Sequence, residues 1–545
     1  MTNNTAPRPS DMPWHNPAPY ARKLAISLYG WRDPRSAFLL ASAAALVFAI
    51  CALLAPALLS LSPTVELLSP IASARAILQN DASIVDQHSP FYLFLIMAAD
   101  VFADKPGRVL LIAKALGAVL AVLPLAHFLS SRMPFAPTIL LGAAVSAYVT
   151  APFSGPAELG LAILLACAIC FTAGCADQCA GRARWEGVIA GFLLYALWLM
   201  SPVYSLISIV LLSVCPYLSG AFGLSRYTAT LATCALLAAI TEFLVPGLNL
   251  ARAAAANGVL NMDFVLSGAA AGASGIGAAT TSLAVIFVSA AVFGGREHLK
   301  NWIGAGAVAL VAAFAAKLAG ADNLPIFVFA AMMVSFSTTS PFYDGVFRNH
   351  DRASIATALT VACLSYFWAG ALTANAVGQF SMQAQVAKST PADVRSALAV
   401  VHPGGHSIAR WVEEGRFSTP EARRLFSLTP IDQSMMLVEA ASRARTLSNS
   451  GYDVAILTGI DTACVLENER PCRQDGVDAV SAANIVLVPR LDLDAATAEA
   501  KGRAEATLIT EFHLSAKSAL WEIWVRRGAA IPADLLGRAH TNVTY

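Results

Sequence analysis

SPTVELLSPIASARAILQNDASIVDQHSPFYLFLIMAADVFADKPGRVLLIAKALG, residues 62–117, is an acid-bearing stretch set between two long apolar runs, residues 37–62 and 107–130. A hydrocarbon core of about 30 Å takes about 20 apolar residues per helical crossing, so each flanking run is long enough to span a bilayer. The stretch itself is not. Ser69 to Gln79 has helical spacing with Arg75 on its polar side, and Pro90 opens a second helical run, Phe91 to Phe102, with Asp100 and Asp104 near its end. That run is too short to cross and reads as a helix lying in the membrane interface.

The rest of the chain repeats the apolar pattern. Of 545 residues, 57% are hydrophobic and 13% charged, about half the charged share of a soluble globular domain. Mean hydropathy is +0.61. The chain therefore reads as an α-helical polytopic membrane protein. About eleven spans emerge, at 37–62, 107–130, 135–152, 157–175, 185–200, 203–222, 227–246, 276–294, 302–320, 323–340 and 354–377. With 36 Lys and Arg against 35 Asp and Glu, no basic excess exists to hold nucleic acid. No Walker loop, nucleotide fingerprint or zinc-helix motif is encoded.

Charge placement sets the expected topology. Alternating the spans from a cytoplasmic N-terminus puts thirteen basic residues inside, among them Arg22, Lys23, Arg132, Arg182, Arg184, Arg226 and Arg296, and four outside: Arg75, Lys105, Arg108 and Arg252. The positive-inside rule favours that orientation, with residues 378–545 on the outer side. Residues 1–36, polar and proline-rich, do not fit a cleaved signal peptide. Within them, Tyr20 to Trp31 reads equally as an interfacial amphipathic helix or a disordered tail.

After residue 377 the composition becomes that of a soluble domain, with 17 basic and 19 acidic residues. Helical spacing at 391–400, 407–414, 419–426 and 433–447 precedes β-like runs VAILTG at 454, IVLVPR at 485, ATLITEFHL at 506 and ALWEIWVR at 519, which predicts an α/β or α+β domain. Cys464 and Cys472 bracket a short polar loop, a spacing that permits a disulfide in an oxidising compartment. Cys175 and Cys179, near a cytoplasmic helix end, read as structural. His402 and His406 flank a Pro-Gly-Gly turn with no nearby acid or cysteine to complete a ligand set, so no metal site is assigned. Leu248 to Gly277 is the second long outer connection and reads as a flexible linker. Glu242 and Lys317, near outer ends of spans, line a groove or pair with each other.

The order of features in the first outer loop resembles the C-type membrane glycosyltransferases, the superfamily of protein O-mannosyltransferases and lipid A aminoarabinose transferases. The residues that carry the resemblance are Glu66 after the first span, Ala74 with Arg75, Asn80 with Asp81, His88-Ser89-Pro90-Phe91-Tyr92, Gly107 and Lys114. About eleven spans and a C-terminal outer domain also suit that superfamily. The chain departs from the pattern in three places. Glu66 stands alone where paired acids are common, Lys114 replaces the usual Arg, and His88-Ser89-Pro90 replaces His-Pro-Pro.

The resemblance implies a polyprenyl-phosphate sugar as donor and an inverting transfer to a glycan, lipid or protein acceptor, with metal dependence open. Such a site needs a carboxylate to take the acceptor proton and cations to hold the leaving phosphate. Glu66 is expected as base, with Asp86, beside His88, second. Lys114, Arg108 and Arg75 are expected at the phosphate, and His88 on donor or acceptor. Each also has a plainer reading: Glu66 as a helix-end acid, Lys114 as a snorkelling cation, Arg75 and Arg108 as solvated charges, and His88 as a turn residue. Two other functions compete: a catalytically silent scaffold or lipid-binding subunit of an envelope-glycan assembly, and a transporter. The second would predict charged or broken helices at mid-membrane and an internal repeat, neither of which is evident.

Overall fold

The computed structural model describes residues 65–259 and 430–535, apart from short breaks between elements, and a few positions within 39–46. The first part is helical throughout: α1 (Val65–Leu78), a 3-10 turn (Ile84–Asp86), α2 (Pro90–Asp100), α3 (Pro106–Ser130), α4 (Phe135–Thr150), α5 (Pro156–Thr172), α6 (Ala180–Met200), α7 (Pro202–Ser219), α8 (Leu224–Leu244) and α9 (Leu248–Val259). Among the described helices, three are long and apolar enough to cross a membrane: Pro106–Leu129, Arg182–Met200 and Leu224–Leu244. Helices α3 to α8 coincide with six of the expected spans. The other five expected spans, the amphipathic run 20–31, Cys175, Cys179, Lys317, His402 and His406 lie outside the described residues.

Helix boundaries follow local chemistry. α2, α3, α5 and α7 each begin on proline, whose fixed φ suits the first helical position and whose missing N–H would be unpaired there anyway. α5 adds half of a capping box: Glu158, at its third position, accepts the Gly155 N–H at 2.7 Å. α1 ends at Asn80, whose φ of 60° is the left-handed conformation asparagine tolerates at a helix C-terminus.

Small residues set the closest packing of the bundle. Gly187 and Gly191, four apart in α6, lie against the backbone of α8. A Cβ at Gly187 would stand 2.5 Å from the Arg226 carbonyl oxygen, and one at Gly191 would stand 2.6 Å from that of Thr230. This small-xxx-small spacing lets two apolar helices approach where no hydrophobic driving force separates lipid from protein. A buried ion pair closes the same contact one turn away, Arg226 Nη2 to Glu186 Oε2 at 2.8 Å, with Arg182 on the other carboxylate oxygen at 3.4 Å. α8 otherwise buries little of itself, and Leu236, Phe243 and Leu244 are exposed.

Residues 248–259 differ from the flexible linker expected of them. They form α9, whose buried Arg252 donates to the Leu199 carbonyl at 2.6 Å at the C-terminal end of α6. Asn249 ties α9 to α8 through the Ala238 carbonyl and Glu242, and Glu242 also accepts the Gly247 and Asn249 N–H groups. Alanines of low bulk resemble a linker in sequence, yet they are strong helix formers once an end is capped.

The second part is an α/β unit: α10 (Pro430–Ser448), β1 (Val454–Ile456), α11 (Ala463–Glu467), α12 (Gly476–Ala482), β2 (Ile485–Pro489), α13 (Ala495–Glu511), β3 (Phe512–Lys517) and β4 (Trp521–Arg526). The sheet order is β1-β2-β4-β3, with β1 and β2 parallel and the remaining pairs antiparallel. Both faces of β2 are buried. Ile485 and Leu487 join α10 on one side, and Val486 and Val488 meet α12 and α13 on the other, which is why IVLVP is apolar without alternation. The run ATLITEFHL is not one strand: Ala506 to Glu511 continue α13, and only from Phe512 does the chain extend. The twelve residues before Thr507 are helix formers in the main, so the helix propagates through β-branched Ile509 and Thr510.

Candidate functional site

The loop quoted at the outset folds into α1, the 3-10 turn and α2, and rests on the N-terminal end of α3. Arg75, in the last turn of α1, reaches α2 and pairs with Asp100 at 3.0 Å, both side chains mostly buried. The pair ties the two short helices into one platform. α9 packs against the 3-10 turn that ends in Asp86, so the second connection supports the first.

Lys114 lies two turns into α3 and is 3% exposed. Its ammonium donates to the Ala151 carbonyl at 2.6 Å, the Ser154 carbonyl at 2.6 Å and Ser154 Oγ at 2.9 Å. These acceptors form the turn between α4 and α5, where the end of α4 presents unpaired carbonyls and a partial negative charge. An ammonium has three protons to donate, and bonds to these acceptors satisfy it without water. The Glu158 carboxylate lies within electrostatic range of Lys114, Tyr92 and Tyr204. Tyr204 itself donates to the Ala157 carbonyl at 3.1 Å.

Beneath the platform, Ser89 Oγ and Tyr92 Oη are buried and have no hydrogen-bond partner among the described residues. Both belong to the segment His88-Ser89-Pro90-Phe91-Tyr92. Buried hydroxyls nearly always find partners, and here two within five residues have none among the described residues. Burial, and after it the nearby Glu158 charge, pushes the Tyr92 phenol well above its usual range and keeps it a neutral donor. Burial also pulls the Arg252 guanidinium down to about 10, still high enough for it to stay charged at neutral pH.

The expected site residues divide as follows. Arg75 and Lys114 are buried with the partners given above, and Arg108 is exposed in the first turn of α3. Glu66 sits in the first turn of α1 and Asp86 ends the 3-10 turn, but their side chains lie outside the described residues, as do Asp81 and His88 entirely. Cys464 and Cys472 are joined by a disulfide. Among the described residues no group of three or more His, Cys, Asp or Glu is placed to hold a metal ion.

Sequence reasoning gave Ser89 and Tyr92 only as part of a motif and treated Glu158 only as a turn marker. The signal for Glu158 was present: glycine, proline and then an acid at the third helical position is the signature of a capped helix start. No protein-family model and no curated protein sequence matches this chain.

Proposed function

We propose that the chain is a multi-pass glycosyltransferase of the bacterial inner membrane, with about eleven spans, a cytoplasmic N-terminus and a periplasmic C-terminal α/β domain. It transfers a sugar from a polyprenyl-phosphate donor to an envelope glycan, lipid or protein acceptor. In that reaction the acceptor hydroxyl gives its proton to the Glu66 carboxylate, or to Asp86, as its oxygen bonds the anomeric carbon. The bond from that carbon to the phosphate oxygen breaks, and its electron pair leaves on polyprenyl phosphate, whose charge needs nearby cations.

The observation that carries this reading is the pair of unpaired hydroxyls, Ser89 Oγ and Tyr92 Oη, in the segment that carries the resemblance and holds His88, the residue expected on donor or acceptor. Each hydroxyl has a proton to donate to a sugar or phosphate oxygen. The platform of α1 and α2 supports it further, because its Arg75–Asp100 pair holds the Glu66 helix and the Ser89 helix together.

A second reading, a catalytically silent scaffold or lipid-binding subunit, is favoured by the commitments of the cations. Lys114 already holds three protein acceptors and Arg75 already holds a carboxylate. Purified protein in nanodiscs, given radiolabelled polyprenyl-phosphate sugar and envelope acceptor, separates the two. Labelled product that depends on Glu66 or Asp86 supports the enzyme, whereas donor binding without turnover supports the scaffold.

A further inference from the structure

Among the described residues, the α/β part meets the site platform where α11 packs on α1. α11 begins at Ala463, carries Cys464 in its first turn and packs against α1. Eight residues on, Cys472 is bonded back to Cys464, and both are 1% exposed. The Cys472 N–H donates to Gln79 Oε1 at 3.0 Å. Gln79 follows α1 directly, its own N–H donating to the Arg75 carbonyl at 3.0 Å. One turn therefore separates the residue gripped by the disulfide loop from the residue that holds α2 through Asp100.

The bond is what fixes the donor. The bond holds Cys472, and with it the Cys472 amide, at a fixed offset from α11, which is itself seated on α1. Without the bond that amide loses its covalent tether to α11, and the loss of loop-closure restraint favours its moving away from Gln79. We infer that the Cys464–Cys472 disulfide, with α11, is a latch that docks the C-terminal α/β domain onto α1 and, through Arg75, braces the α1–α2 platform. The coupled form then belongs to an oxidising compartment. A dithiol uncouples it: the Cys464–Cys472 bond breaks, two thiols form, and the dithiol leaves as its own disulfide. The latch does not depend on the chemistry proposed for the site, since the docking is a matter of contacts alone.

Amide hydrogen exchange on the full chain in nanodiscs tests it, comparing the oxidised protein, the protein treated with dithiothreitol, the double variant C464S/C472S and Gln79→Ala. Exchange across residues 65–79 should quicken on the order of tenfold in all three perturbed forms, the scale set by losing one part-buried hydrogen bond and the docking it anchors. Exchange in β2 and β4 reports whether the α/β fold survives. Unchanged protection of 65–79 in C464S/C472S with β2 and β4 intact would overturn the latch. If the sheet opens when the bond is lost, Gln79→Ala decides, because it keeps the disulfide: quickened exchange supports the latch and unchanged exchange overturns it. Transfer activity is read separately, so an inactive protein leaves this result interpretable.

Discussion

Replacing Gly191 by alanine puts a methyl group where α6 and α8 are closest. The new Cβ would stand 2.6 Å from the Thr230 carbonyl oxygen and 2.7 Å from Thr233 Cβ. Non-bonded contacts settle at about 3.5 Å, so the helices must part by roughly 0.9 Å at that level. A gap of that size forfeits a quarter to a half of the dispersion energy across the contact, and overpacking of this kind costs about 1–3 kcal/mol. The same shift acts one turn away on the Arg226–Glu186 pair. Its 2.8 Å bond would lengthen past hydrogen-bonding range, and a buried charge-assisted bond is worth about 1.5–3 kcal/mol. Part of the displacement is taken up by tilting, so the expected total is about 2–4 kcal/mol. Gly187→Ala should cost a similar amount, and the double variant less than the sum, because a gap opened at one glycine relieves the other. Unfolding of the detergent-solubilised protein by titrated denaturing detergent measures these differences. Gly223→Ala, whose added Cβ meets nothing within 4 Å, is the control. Loss of less than about 0.5 kcal/mol in Gly191→Ala would refute the close approach of α6 and α8.

Other perturbations follow from the same contacts. Gly502 is exposed in the interior of α13 and an added Cβ meets nothing, so Gly502→Ala should stabilise the protein by about 0.5–1 kcal/mol in thermal unfolding. Asp100→Asn removes the charge paired with Arg75 and should cost about 1–2 kcal/mol, with faster hydrogen exchange in both α1 and α2; a change confined to α2 would contradict the bracing role. Lys114→Met strands the Ser154 carbonyl and should cost about 2 kcal/mol in unfolding, mostly recovered by Lys114→Arg. If Lys114→Met instead leaves stability intact and abolishes donor binding, its ammonium serves the substrate and not the α4–α5 turn.

What could be read in the sequence was what repeats locally. Apolar runs located α3 to α8 within a few residues, and the short apolar run IVLVP and the alternation of WEIWVR placed β2 and β4. Proline at Pro90 and the spacing around Arg75 placed the two loop helices. Contacts between distant segments were not legible. Arg75 looks solvated until Asp100, 25 residues on, is folded against it. GVIAG, residues 187–191, is a close-packing signal whose partner helix no local pattern names. α9 was missed because its stability comes from Arg252 and Asn249 reaching other helices, and ATLITE because β-branched residues join a helix whose propensity lies upstream. At the site, the motif segment was visible but the unpaired state of Ser89 and Tyr92 is a property of packing alone.

The most direct test of the proposed chemistry is transfer of labelled sugar from polyprenyl phosphate by Glu66→Gln and Asp86→Asn protein in nanodiscs, each checked for intact insertion and folding. Removing the proton acceptor should lower the transfer rate by about 10²–10⁴-fold in one of the two and leave donor binding within a fewfold of the parent protein. Full transfer in both variants would contradict the account.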